Sequence, residues 1–447
     1  MRSRLPWLPV ALAATALLTA GRADAQQWLS DRTRAEGRGI SVGDLKLHPG
    51  IGSELGWVSN VFLVDPAQAS ATLRITPHLY LSTADAAAYG GSTQPTSNGG
   101  LLAEPVVGFR AGVNGVLKTY FGNGPDHDPD MGVGQDARLL LRPSRIFHAE
   151  FFEDYRRTID PFSVTPTTGA TTAGAPATAG TTSAKPPGFD RDLLGAGTRL
   201  QVSSSGGLLK AGLGYRFDLD KFEDGSFKTN DNLTHTISVD DSWEFLPQTA
   251  LIWRGSVGLH KFTDAAGSRA ARNSSTTVST LFGLNGALTS RIAATLGVGY
   301  TAFFSADKAD YDTVAAQVEV RWTIRSNLQW SVGYDRQINP SFQGNFSRLD
   351  RARTRLQTML LGKLLIALRG DVTFLTFGAD PLDGTQSPRQ DINLVTNLSG
   401  EYRFVDWLAL TGELGYIRNF TDYTYPVSMA KASYQQFAAF IGLRAFL

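Results

Sequence analysis

From Leu45 onward the sequence places apolar side chains at every second position, in segments of about 10 to 15 residues closed by turn-forming residues. In SRIAATLGVGYTAFF the even positions Ile292, Ala294, Leu296, Val298, Tyr300, Ala302 and Phe304 are apolar, and the odd ones are mostly small or polar. VAAQVEVRWTI sets Val314, Ala316, Val318, Val320, Trp322 and Ile324 against Gln317, Glu319, Arg321 and Thr323. GLLKAGLGYRFDLD sets Leu209, Ala211, Leu213, Tyr215, Phe217 and Leu219 against Lys210, Arg216, Asp218 and Asp220. A strand turns successive side chains to opposite faces, so each segment has one apolar and one wet face. A closed sheet with lipid outside and water inside asks for that pattern repeatedly, since lipid tolerates neither a free sheet edge nor inward-type charges. A soluble β-sandwich would alternate too, but aromatics near strand ends, Trp57, Tyr120, Trp243, Trp330, Tyr402 and Trp407, suit an interfacial girdle. The expected fold is all-β: a transmembrane antiparallel up-and-down β-barrel over residues 45–447.

Connections alternate in length. Short ones fall at Arg142 to Arg145, Ser204 to Gly207, Phe245 to Gln248, Thr289 to Arg291, Arg325 to Asn327, Gly362 to Leu364 and Val405 to Asp406. Between them lie longer ones at 122–132, 160–190, 221–231, 263–273, 305–310, 339–347, 378–390 and 419–431. Barrels of outer membranes have short periplasmic turns and long external loops, which gives about 18 strands with both termini periplasmic. Residues 83–103 break the alternation, being long where a short turn is due; 160–190, rich in Thr, Ala, Gly and Pro, reads as a low-complexity external loop.

The N-terminus, MRSRLPWLPVALAATALLTAGRADAQQ, carries Arg2 and Arg4, an apolar run from Trp7 to Ala20 and an Ala23-Asp24-Ala25 cleavage pattern. It predicts a signal peptide over 1–25, a mature start near Gln26, a short periplasmic segment over 26–44 and localisation in the cell outer membrane. Outer-membrane lipid and lipopolysaccharide are then the expected surroundings. Cysteine is absent, which excludes disulfides, thiolate catalysis and Cys-ligated zinc, and 42 basic against 41 acidic residues give no argument for nucleic acid.

The six histidines fall in no Ser/His or Asp/His constellation, so no enzyme and no cofactor are expected. Parity points His148 and His260 inward and His235 outward. GPDHDPDMG groups Asp126, His127, Asp128 and Asp130 but lacks the Gly and distal Glu of a calcium loop, and reads as a solvated acidic loop without metal. Gly283, Gly286, Gly297 and Gly299 form no phosphate fingerprint and read as strand glycines.

The candidate functional residues are therefore those of the inward face. Arg351, Arg353 and Arg355 share one parity, and the same parity elsewhere gives Arg110, Lys118, Arg138, Lys210, Arg216, Arg254, Arg321, Arg369, Arg403 and Arg444. It also gives Glu150, Asp154, Asp218, Glu319, Asp371 and Glu401, so pairing across the wall competes with a basic selectivity ladder. In YQQFAAFIGLRAFL the row Phe437, Ala439, Ile441, Leu443, Ala445 and Leu447, with Phe446 beside it, resembles the terminal strand that barrel-assembly machinery recognises.

LKLHPGIGSELGWVSNVFL, followed by ATLRITPHLYLST, resembles the opening of the beta-barrel porin 2 family: a first strand with Pro49, a turn with Asn60, Val61 and Phe62, and a second strand with Pro77. Those barrels accompany exopolysaccharide and capsule export, so the resemblance implies an exit pore for polysaccharide, served by a separate periplasmic polysaccharide-export protein. The alternatives are a general diffusion porin for small solutes and a barrel acting as adhesin or structural anchor. An inward-folded constriction would favour the porin, a wide continuous tunnel the exporter and a plugged lumen the anchor.

Overall fold

The computed structural model describes residues 39–63, 66–83, 106–121, 129–158, 190–223, 228, 231–263, 274–306, 310–341, 346–378, 389–424 and 431–447. Residues 1–25, expected to be a signal peptide, and 26–38, 160–189, most of 83–103 and Asp126, His127 and Asp128 lie outside the described residues.

The alternating segments form β1 (Ile40–Val42), β2 (Leu45–Val58), β3 (Ser70–Thr83), β4 (Val107–Phe121), β5 (Asp130–Leu141), β6 (Phe147–Thr158) and β7 (Arg191–Ser203). They continue as β8 (Leu209–Phe222), β9 (Asn232–Leu246), β10 (Thr249–Phe262), β11 (Ser275–Ala287), β12 (Ile292–Ser305) and β13 (Tyr311–Arg325). The last are β14 (Leu328–Pro340), β15 (Phe346–Leu360), β16 (Leu364–Phe377), β17 (Gln390–Val405), β18 (Leu408–Phe420) and β19 (Tyr434–Phe446). Strands β2 to β19 pair antiparallel with their sequence neighbours, and β19 pairs back onto β2, from Ala438 opposite Val58 to Phe446 opposite Gly50. The result is a closed 18-strand barrel. Among the described residues no helix is long and apolar enough to cross a membrane, and the strands do the crossing.

Closure leaves β2 longer than its partner. Leu447 N–H donates to the Pro49 carbonyl at 3.0 Å, and beyond it β1 folds back so that Ile40, Ser41 and Val42 face Leu47, Lys46 and Leu45. The edge that β19 leaves open is thus covered by the chain's own N-terminal hairpin. At the opposite end of the seam, Asn60 Nδ2 donates to the Gln435 carbonyl at 3.2 Å, Gln436 Nε2 donates to the Asn60 carbonyl at 2.6 Å, and Ser59 N–H donates to the Phe437 carbonyl at 2.8 Å. Val61 and Phe62 turn into the barrel and pack with Val58 against Tyr120, Ala438 and Phe440. Pro77, lacking an N–H, sits where the β3–β4 ladder is interrupted between Ile75 and His78.

Short connections gather at one end of the barrel and long ones at the other, called here the turn end and the loop end. The link that breaks the length rule does begin and end at the turn end, after Thr83 and before Val107. At Leu360–Lys363 the two central residues, Leu361 and Gly362, have φ of 51° and 68°, and Lys363 N–H donates to the Leu360 carbonyl at 3.1 Å, a type I′ hairpin. Leucine is poorly suited to that conformation. Leu361→Asn is expected to stabilise the barrel by about 0.5–1 kcal/mol, read as a higher denaturant midpoint in detergent.

Outward parity carries strongly exposed apolar side chains, among them Val298 at 62% and Ile441 at 61%. So large an apolar exterior is stable in lipid and not in water. Its aromatics ring both ends: Trp243, Trp253, Trp322, Trp330, Tyr402 and Trp407 lie near the turn end, and Trp57, Tyr155, Tyr300 and Tyr416 toward the loop end. Tyr120 is not among them, contrary to the sequence expectation. It points inward, its hydroxyl donating to Asp130 at 3.2 Å, and Phe121 holds the outward place. Where β11 and β12 pass each other the wall is tight: a Cβ on Gly299 would overlap the Thr280 carbonyl, and one on Gly283 that of Leu296.

Candidate functional site: the lumen wall

Every charged side chain of the inward set projects from the face opposite the exposed apolar row, because strand parity and cross-strand register leave it no other place. Most are paired there. Arg351 meets Asp335 at 3.1 Å, Arg353 meets Asp335 at 3.2 Å and Glu319 at 3.0 Å, and Arg321 meets Glu319 at 3.0 Å. Arg369 bonds Asp371 at 2.7 Å, Arg403 bonds Glu401 at 2.7 Å, and Arg444 reaches Glu401 at 3.3 Å. On the other flank Arg216 is held between Asp154 at 3.0 Å and Asp218 at 2.7 Å, Lys210 meets Glu244 at 2.8 Å, Arg138 meets Glu150 at 3.7 Å, Arg110 meets Asp136 at 3.7 Å and Arg254 meets Asp240 at 3.7 Å. Lys118 lines a recess of about 490 Å³ with Glu54, Arg74, Glu413 and Arg444, in which Arg74 bridges Glu54 at 2.6 Å and Glu413 at 2.7 Å.

Sequence parity put Arg351, Arg353 and Arg355 together as one ladder, and the register separates them. Arg351 is 7% exposed and locked to Asp335. Arg355 is exposed and stands directly opposite Arg369, with no ion pair of its own among the described residues. Like charges opposite each other on a sheet are destabilising, so this pair does not serve stability. Bulky inward groups are kept flat against the wall by glycines on the neighbouring strand: a Cβ on Gly333 would crowd Arg353, and one on Gly195 would overlap Arg216.

The lumen is not uniform along its length. Toward the turn end Arg369 at 58% and Arg138 at 50% stay wet, whereas Arg191, Asp391, Asn393 and Asn419 toward the loop end are buried. The cause on one side is the end of the β14–β15 hairpin. The β13–β14 ladder stops at Ala316 opposite Arg336, but β14 and β15 stay paired up to Pro340 opposite Phe346. Freed from β13, this tip lies inside the barrel. The Phe346 ring stacks on Tyr311 at 4.4 Å and packs on the fully buried Phe303 at 5.6 Å, and both of those rings belong to the inner face of β12 and β13. Ile338 has the parity of lipid-facing residues and is nonetheless buried, and Arg348 reaches inward to the Tyr311 hydroxyl at 3.0 Å. Toward the tip the lipid-facing parity passes from Trp330, Val332 and Leu356 to the charged Arg336, Arg348 and Asp350, a break in the alternation that marks the departure.

His260 is inward and buried, its Nδ1 2.8 Å from the Thr234 hydroxyl, and His148 also lies on the inward parity. His235 faces outward, 2.8 Å from the Tyr215 hydroxyl. No group of three or more metal-ligating side chains occurs among the described residues. Of the terminal row, Phe437, Ile441, Leu443 and Leu447 are exposed on the outer face, whereas Phe446 points inward, buried under the Arg403 guanidinium at 4.8 Å.

No family profile matches the sequence, and no curated protein matches it. Solved barrels align in outline. The outer membrane protein OpdK of Pseudomonas aeruginosa is 10% identical with a TM-score of 0.45, covering 90% of this chain and 99% of its own. OpdQ of the same organism is 12% identical with a TM-score of 0.44, covering 91% and 100%. The FrpB iron transporter of Neisseria meningitidis is 11% identical with a TM-score of 0.48, covering 94% and 69%. At these values the common feature is barrel architecture, and the substrates of those proteins do not transfer.

Proposed function

We propose that this chain is an outer-membrane diffusion channel for small solutes, favouring anions, with its turn end in the periplasm and its mouth narrowed by the β14–β15 tip. The observation that carries the reading is that tip: a strand hairpin seated on inner-face aromatics obstructs a polymer duct and suits a sieve. This sets the diffusion porin ahead of the polysaccharide exit pore that the N-terminal resemblance implies, and no periplasmic export partner is required. Anion preference rests on Arg355 and Arg369, which add charge to the wet part of the lumen beyond what Asp371 offsets. In the same reading the outward row of Phe437, Ile441, Leu443 and Leu447 serves assembly, and lipid and lipopolysaccharide cover the exterior.

Vesicle swelling with the purified barrel tests the channel: monosaccharide-sized solutes enter and dextrans do not. Entry of dextrans at comparable rates would return the reading to a polymer duct. Orientation is tested separately. Because the chain has no cysteine, Thr263→Cys should be labelled on intact cells by an impermeant maleimide, and Ser205→Cys only after the outer membrane is opened. The reverse pattern would invert the barrel.

A further inference from the structure

Behind the inward tip, the wall changes chemistry. Strands β9 to β12 line this part of the lumen with Thr236, Ser256, Thr277, Ser279 and Thr301 in place of arginines and carboxylates. Opposite them the tip contributes the amides of Gln337 and Asn339, enclosing a recess of about 380 Å³, within the range of small-ligand pockets. The carboxylates at its edge are neutralised within the wall: Asp220 by Arg191 at 3.1 Å, and Asp154 and Asp218 by Arg216. Thr277 Oγ1 and Asn339 Nδ2 are buried without a protein hydrogen-bond partner, so each has a donor or acceptor to offer a solute. Phe262 supplies an apolar ring, held edge-on to His260 at 5.0 Å.

We propose that this recess is a binding subsite for a small polyhydroxylated solute of sugar chemistry, an inference that rests on the channel reading and adds a preferred cargo to it. Hydroxyl side chains both donate and accept, and amides present a donor and an acceptor side by side, which matches the vicinal hydroxyls of a sugar ring. The π-face of an aromatic ring suits the C–H face of the same sugar. Charged solutes gain little from a wall whose ions are already paired. Arg156 at the margin is the exception, which makes a sugar acid the natural comparison with a neutral sugar.

The experiment is ion-current block in planar bilayers with the full barrel, adding glucose, gluconate or a polyethylene glycol of similar size. Glucose and gluconate should interrupt the current saturably while the glycol does not. In Thr277→Val with Thr301→Val the half-blocking concentration should rise about tenfold for the loss of two hydrogen bonds. Ser399→Ala, on the far wall, should leave it unchanged. Equal block by all three solutes, or wild-type block in the double variant, would overturn the subsite. Absence of any single-channel current would instead overturn the channel reading beneath it.

Discussion

With Phe346 and Tyr311 both replaced by alanine, single-channel conductance rises above the wild-type value and the size limit in vesicle swelling moves up. The two rings stack at 4.4 Å, and with Phe303 they are the apolar seat of the β14–β15 tip. Deleting a buried aromatic costs about 3–5 kcal/mol, and 3 kcal/mol alone shifts the balance between seated and released tip by about 100-fold. The ladders below Arg336 do not involve either ring, so the barrel should still close and show heat-modifiable migration on gels. Unchanged conductance in a correctly folded variant would mean that the tip does not set the narrowest section.

Reversing the charge of the exposed arginine pair has the second large effect. In Arg355→Glu with Arg369→Glu, the reversal potential under a salt gradient should change sign, with the anion-to-cation permeability ratio falling by about an order of magnitude. Both side chains stand in the wet part of the lumen, and Arg355 has no counter-ion among the described residues, so the substitution changes the field without orphaning a carboxylate other than Asp371. Arg351→Glu behaves differently. It would set an acidic group against Asp335 in a buried place, and its expected signature is a loss of folded barrel, not a shift in selectivity. A reversal potential unmoved by the double substitution would assign the pair a structural role.

The parts of this molecule readable in advance are those governed by a period of two residues. Alternation in segments such as 292–304 and 314–324 decides which face meets lipid, and the seven short links place the strand ends to within a few residues. Where a ladder stops shows in the alternation only as charges on the lipid-facing parity, here Arg336, Arg348 and Asp350. Ile338 and Phe346 have the same parity as Trp330 and Leu356, yet the first two are folded inside and the last two face lipid, because β14 lets go of β13 above Arg336. Parity does not tell which arginine finds an acid: Arg351 and Arg355 differ only in whether the facing strands bring Asp335 or Arg369 alongside. Tyr120 and Phe121 were separated by a single position, and one step in register exchanges lumen for lipid. Phe446, one step off the outward row, turns in beneath Arg403, as its parity requires.

The seam described at β2 and β19 has a kinetic meaning as well as a geometric one. All other ladders of the barrel are hairpins or join neighbouring strands, so each can form soon after its own residues are available. The β19–β2 ladder, by contrast, brings together positions such as Phe437 and Ser59, separated by 378 residues. Its loop-closure entropy can be met only once the intervening sheet has curled. The hydrogen bonds that join Ser59 and Asn60 with Gln435, Gln436 and Phe437 therefore act on the final event of folding, and their loss would slow ring closure while leaving the hairpins formed. A chain arrested there would present two unpaired edges, β19 on one side and β2 with its short β1 cover on the other, each a template for a foreign strand.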